Sequence, residues 1–168
     1  MPLKKCSFMR LRGFTSKFTD NKGFTLAELL ATMSVFAIVA AIAVPSFLSF
    51  QSGMRLNGGA RQVLSRLMWA RSQAIEQNTV YIVTFPTDHT MQIFNDANAN
   101  DALDAGEWNQ TVDIQTDYPE VSFSIGGSST TPKFNGRGTA TADTTITITN
   151  TSGSKQVQVR ATGNVKVI

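Results

Sequence analysis

One cysteine, Cys6, and one histidine, His89, are all that 168 residues contain of the two commonest metal-ligating and nucleophilic side chains. A single thiol excludes an intramolecular disulfide and any cysteine-based metal cluster. A single histidine excludes paired-histidine metal centres. A Ser-His-Asp set would have to use His89, beside Asp88 in a predicted turn, but no nucleophile elbow or glycine-rich phosphate loop accompanies it. His89 therefore reads as an exposed turn residue. Trp69 and Trp108 read as packing residues. Charge is missing in one place above all: the 26 residues between Glu28 and Arg55 carry none.

A run of that length can cross a membrane, because about 20 residues at about 1.5 Å each span a hydrocarbon core of about 30 Å. Its acid, Glu28, stands at the entrance. A carboxylate at the centre of a lipid-facing helix costs about 2.5–3.5 kcal/mol, so an acid kept there is a functional candidate. The alternative places Glu28 among the headgroups, where it costs little. Lys4, Lys5, Arg10, Arg12, Lys17 and Lys22 precede the run against the single Asp20. Such a basic flank stays cytoplasmic and leaves the C-terminal part outside. A secretory signal peptide cut at Ala41-Ile42-Ala43 is a competing reading. Against it, the run continues through Val44, Phe47, Leu48 and Phe50, and Glu28 is out of place in an h-region.

Lys22-Gly23-Phe24-Thr25-Leu26-Ala27-Glu28-Leu29-Leu30 resembles the N-terminal signature of type IV pilins and pseudopilins. The resemblance implies that a prepilin peptidase cuts after Gly23 and that Phe24 becomes N-methylated. Glu28 is then the fifth residue of the mature chain. It also implies an assembly role for Glu28, with the Phe24 amine of an adjacent subunit as its partner. Two opposite charges 4 Å apart attract by about 4 kcal/mol at an effective dielectric of about 20. That is comparable to the insertion penalty. Pro45 removes one helical hydrogen bond and crowds the preceding turn, predicting a kink or local melting near 41–45.

Removal of residues 1–23 changes the charge. The whole chain is at +3, whereas the remainder carries nine Lys and Arg against eleven Asp and Glu, a net of −2. The basicity that would suggest a nucleic-acid partner belongs mostly to the leader. Cys6 goes with it, so the domain must be stabilised by packing alone.

After a predicted transmembrane and filament-core segment, 24–50, the composition turns globular. Residues 51–168 suffice for one small domain. Gly53, Gly58 and Gly59 predict a loosened helix. Then Ala60, Val63, Leu64, Leu67, Met68, Ala74 and Ile75 recur at helical spacing, predicting an amphipathic helix at about 60–77. Val80–Phe85 and Met91–Phe94 predict a hairpin across Thr87-Asp88-His89. Strands are predicted at Gln110–Ile114, Val121–Ile125, Thr145–Thr149, Gln156–Ala161 and Val165–Ile168. The fold class is α+β, a long N-terminal helix packed on an antiparallel β-sheet domain.

Ala70-Arg71-Ser72-Gln73-Ala74-Ile75-Glu76-Gln77-Asn78, running into a strand, resembles the helix end of the H-type pseudopilin and FimT/FimU minor-pilin group. This implies a single-pass inner-membrane protein with a periplasmic domain. It would join a type II secretion pseudopilus or a type IV pilus near the tip. The implied partners are other pilins, the prepilin peptidase and the inner-membrane assembly platform. Some FimT-like pilins bind DNA during uptake through Gly-Arg-x-Arg. Here Gly163-Asn164-Val165-Lys166 lacks both arginines, and Gly136-Arg137-Gly138-Thr139 has half the motif. Arg137, Lys155, Arg160 and Lys166 are a thin supply of cations for phosphates. Finally, Asp96, Asn98, Asn100, Asp104 and Glu107 fall at positions 1, 3, 5, 9 and 12, the ligand spacing of a calcium loop. Position 6 is Asp101 instead of glycine and the flanks read as strands, so a polar hairpin loop is the competing reading. No other cofactor is implied.

Overall fold

The structure, a computed structural model, describes residues 23–168. The basic residues Lys4 to Lys22 and Cys6 lie outside the described residues. The chain divides into two compact units between Ala41 and Ile42.

One helix, α1, runs Leu26–Gln77 and contains Pro45. In the first unit it is exposed apolar surface. Thr32 and Ser34 donate to the Leu29 and Ala31 carbonyls of their own helix. Hydroxyls satisfied this way cost little in an apolar medium. Of the kink or local melting expected near 41–45, the melting is not found: the helix is unbroken through Pro45.

In the second unit α1 supplies the core stripe. Leu56, Gly59, Ala60, Val63, Leu67, Ala70 and Ala74 are buried, at the three- and four-residue steps that keep side chains on one face. Burying a side chain of the size of Leu67 or Val63 is worth about 1.5–3 kcal/mol. The stripe is narrower than the sequence predicts, since Met68 and Ile75 are about half exposed. The expected loosening at the glycines is also corrected. A methyl on Gly58 would overlap the Tyr118 ring, and one on Gly59 would press on Val121 and Ile114. These glycines admit neighbours to the helix.

Eight strands follow: β1 Val80–Thr84, β2 Thr90–Asp96, β3 Asn109–Asp113, β4 Ser122–Gly127, β5 Lys133–Phe134, β6 Thr144–Asn150, β7 Gly153–Val159 and β8 Val165–Val167. They form two four-stranded antiparallel sheets, ordered β3-β2-β1-β5 and β4-β6-β7-β8, where the sequence reading had one. The β1–β2 hairpin has the expected pairing, with Ile82 opposite Phe94 and Val83 opposite Ile93. Ile114 leaves β3 to open a short 3-10 helix, Ile114–Thr116, capped by the Asp113 side chain. Tyr81, Val83, Met91 and Ile93 from the first sheet share a core with Phe123, Ile146, Ile148, Val157 and Val159 from the second. Phe85 meets Phe123 edge-on at 5.5 Å.

Each sheet has a different outer face. On the first, Ile82 and Phe94 are buried although they belong to no part of the main core. On the second, Thr145, Thr147 and Thr149 stand opposite Gln158, Gln156 and Ser154, while Ser124 and Ser122 complete the rows across Thr147 and Thr149.

Candidate functional site

The N-terminal part of α1 is an uncovered apolar surface. Phe24, Leu26, Leu29, Leu30, Met33 and Phe36 are all exposed, and so are Ile42, Phe47 and Phe50 farther on. At its start the Glu28 N–H donates to Thr25 Oγ1 at 3.2 Å. Thr25-Leu26-Ala27-Glu28 has the pattern of a capping box, and of its two possible bonds the Thr25 one is made. An acid in the first turn also lies at the positive end of the helix dipole. Glu28 thus has a local helix-starting role that the spacing of the sequence already carried.

The Asp96–Glu107 loop is drawn in on itself. Asp96, 2% exposed, accepts from the N–H groups of Asn100 at 3.1 Å and Asp101 at 2.9 Å. Glu107 accepts from Ala97 and Asp104 N–H groups. The amides of Asn98 and Asn100 both donate to Asp104 Oδ2, at 2.7 and 2.6 Å. The five residues singled out by spacing are therefore neighbours, with their oxygens turned to internal donors. Among the described residues no group of three His, Cys, Asp or Glu is arranged to hold a metal. Position 6 needed glycine for its turn, and Asp101 makes that turn itself at a φ of 65°. Asp101 then reaches Lys133 at 2.7 Å. Lys133 lies opposite Ile82 across the β1–β5 pair, so the loop crosses the outer face of the first sheet, where Ile82 and Phe94 are buried.

The four candidate cations do not form one surface. Lys155 lies opposite Ile148 and shares the core-side face of β7 with Val157 and Val159; Lys166 lies opposite Gln158 on the other face. Alternation along a strand enforces this split. Arg137 and Arg160 come closer, at a junction the sequence did not reveal. Arg71 Nε donates to the Gly138 carbonyl at 2.8 Å. The turn that closes Arg160 N–H on Asn164 holds Gly163 against Gly138, where a methyl would overlap the carbonyl.

His89 Nδ1 lies 2.7 Å from Asp88 Oδ1, both in the β1–β2 turn. Trp69 packs on Trp108 at 5.1 Å and edge-on to Tyr81 at 6.1 Å. Burial pushes the Tyr81 phenol above its ordinary range; the Gln77 hydrogen bond lowers it and the Glu76 charge raises it.

The prokaryotic N-terminal methylation motif matches residues 19–44. Among solved structures, the type IV minor pilin FimU of Pseudomonas aeruginosa is similar at a TM-score of 0.56 and 16% identity, over 71% of this chain and 92% of that one. The minor pseudopilin EpsH from the type 2 secretion system of Vibrio cholerae is similar at 0.53 and 10% identity, over 68% of this chain and 96% of that one. These likenesses establish a shared fold. No curated protein matches. The family described as type II transport protein GspH matches residues 59–163, the stretch that holds the core stripe of α1 from Gly59 onward and strands β1 to β7, and the chain belongs to that family.

Proposed function

We propose that this chain, a structural pilin-like subunit and not an enzyme, is anchored in the inner membrane by residues 24–50 and carries its 51–168 domain in the periplasm. It enters a secretion pseudopilus or type IV pilus near the tip, through the inner-membrane assembly platform. One observation carries this reading: the helix bearing the 26-residue charge-free run has no buried residue from Leu26 to Phe50, and Glu28 stands in its first turn. Such a surface needs either lipid or other apolar helices around it. Gly23 is the cleavage point and Phe24 the methylated N-terminus. Leaving lipid for a helix bundle gives an ionised Glu28 a new need, which the Phe24 amine of an adjacent subunit meets. Burial of such a pair is close to neutral overall, so its main effect is to fix register.

The test is incorporation. Glu28→Ala and Glu28→Leu are expected to insert in the membrane normally but to be depleted from purified filaments. Equal incorporation of mutant and wild type would overturn the reading. Mass spectrometry is expected to find N-methyl-Phe24 at the start of the mature chain, and a chain starting at Val44 would defeat it.

The convergence of Arg71 with the Arg137 and Arg160 turns favours a second, lesser reading, DNA binding during uptake. Three cations release few counterions, so affinity from this junction alone is low and strongly salt-dependent. A gel shift with the purified chain at low salt tests it. A tight complex that Arg137→Ala and Arg160→Ala abolish would raise this reading above the structural one.

A further inference from the structure

Packing does not use up Trp108. It is 43% exposed, although its ring lies 5.1 Å from Trp69 and 6.0 Å from Tyr81. Trp69 in turn meets Tyr81 edge-on, and Tyr81 is buried. Three rings wedged in this way hold the exposed indole in one orientation. A ligand stacking on it would find the surface already ordered.

Polar side chains flank this aromatic face. Arg66, Trp69, Gln73 and Gln77 follow one another at steps of three and four, so they share one side of α1. Trp108 continues the β2–β3 ladder by one residue, since its carbonyl accepts from the Asn95 N–H at 3.0 Å. Its side chain therefore lies on the same face as that of Gln110. The two rows meet. Arg66 Nη1 donates to Gln110 Oε1 at 3.3 Å, a bond that takes one of the guanidinium's several donors. On the other side of Trp69, the Gln77 amide donates to Gln73 at 2.9 Å and the Gln73 amide to Glu76 at 3.0 Å. An exposed indole thus lies between two sets of planar hydrogen-bonding groups.

That combination selects among ligands. The apolar part is a single ring, far short of the about 800 Å² per partner that a stable protein contact takes. Arg66 and Glu76 offset each other in charge. One arginine is not the cationic track that a nucleic-acid strand needs, even though bases stack on tryptophan. A pyranose whose substituents are all equatorial has the matching shape. Its C–H face is flat and of the size of an indole, and its rim carries hydroxyls and, in an N-acetylhexosamine, an amide. We infer that the Trp108 face binds a glycan of β-linked N-acetylhexosamines. One sugar ring stacks on the indole, and its polar rim is held by Arg66 and Gln110 on one side and Gln73 on the other. Cell-wall glycan and free oligosaccharides share this chemistry. The inference goes beyond the reading of the chain as a filament subunit and does not depend on it.

The test is a titration of the full chain, in a detergent without a sugar headgroup, with chitotetraose, a β-linked oligomer of N-acetylglucosamine. The chain has two tryptophans, so two indole N–H resonances report by NMR. The Trp108 resonance is expected to shift and to saturate at about millimolar ligand, as an open face allows. Trp108→Ala is expected to weaken binding about tenfold, and Trp108→Phe, which keeps a ring, to weaken it less. Gln110→Leu removes an amide at a half-buried position and is expected to weaken binding with the Trp69 resonance in place, which separates the contact from a folding defect. Met68→Ala, exposed on another side of α1, is expected to leave binding unchanged. Cosedimentation with purified peptidoglycan sacculi, lost in Trp108→Ala, would support the site and identify the cell wall as the source. Chitotetraose binding without cosedimentation would support the site and identify free oligosaccharide. A wild-type titration in which neither resonance moves would overturn the site, and so would equal binding by wild type and Trp108→Ala. Binding of a proline-rich peptide at Trp108 with no response to chitotetraose would overturn the glycan assignment. None of these outcomes bears on entry into filaments, which the Glu28 variants test separately.

Discussion

Arg71 Nε donates to the Gly138 carbonyl at 2.8 Å, and this bond ties the last turns of α1 to the turn after β5. Gly163 completes the junction at a φ of 83° with no room for a Cβ, whereas Gly153, also at positive φ, faces open space. At either position alanine is held at a strained positive φ, at about 1–3 kcal/mol, but only Gly163 adds an overlap. Gly163→Ala is expected to destabilise the purified chain more than Gly153→Ala. Urea unfolding followed by tryptophan fluorescence measures the difference, and equal midpoints would contradict the packing described.

Leu67 and Met68 are neighbours with opposite surroundings, the one fully buried and the other 51% exposed. Leu67→Ala removes core contacts and leaves a cavity, costing about 2–5 kcal/mol. Met68→Ala is expected to stay within about 0.5 kcal/mol, as exposed substitutions do. Thermal unfolding of both variants in one detergent checks this.

Tyr81 gives the domain an alkaline limit. Burial raises its phenol above the ordinary 10.0. The unfolded chain therefore loses the proton first, and the stability contributed by the neutral phenol is complete below pH 10. It declines as pH rises from 10 toward the folded-state value. Tyr81→Phe is expected to flatten that decline, read as unfolding midpoint against pH.

The Asp96–Glu107 loop offers its oxygens to its own donors. Asp96→Ala would strand two N–H groups and is expected to cost about 1–3 kcal/mol. Asp101→Ala breaks an exposed pair with Lys133, at about 1 kcal/mol or less. Calcium at millimolar concentration is expected to leave the unfolding temperature unchanged. A site with a dissociation constant a hundredfold lower would add about 2.7 kcal/mol and be plain in the same measurement.

Local chemistry was legible in the sequence, and non-local pairing was not. The charge-free run, the capping threonine before Glu28 and the β1–β2 hairpin are each written within a few residues. The division into two sheets depends on partners such as Tyr81 and Phe134, far apart in the chain. β5 is two residues long, too short for any periodicity. The glycines read as loosening the helix are packing sites because Tyr118 and Val121 reach them from about sixty residues away. The faces that Lys155 and Lys166 take are likewise set by pairing, which puts them on opposite sides of the second sheet. The oxygen spacing of the Asp96–Glu107 loop was legible apart from the glycine missing at Asp101; the donors those oxygens meet within the loop were not.

The outer face of the second sheet holds threonine, serine and glutamine in matched rows, with Lys166 beside them. Nearly neutral surfaces of this kind neither steer a partner from a distance nor lose it when ions screen the field. Any contact made there keeps its strength as ionic strength varies, while contacts through Arg55, Arg61 or the Arg71 junction weaken. Recognition through the two regions is thus separable by salt alone.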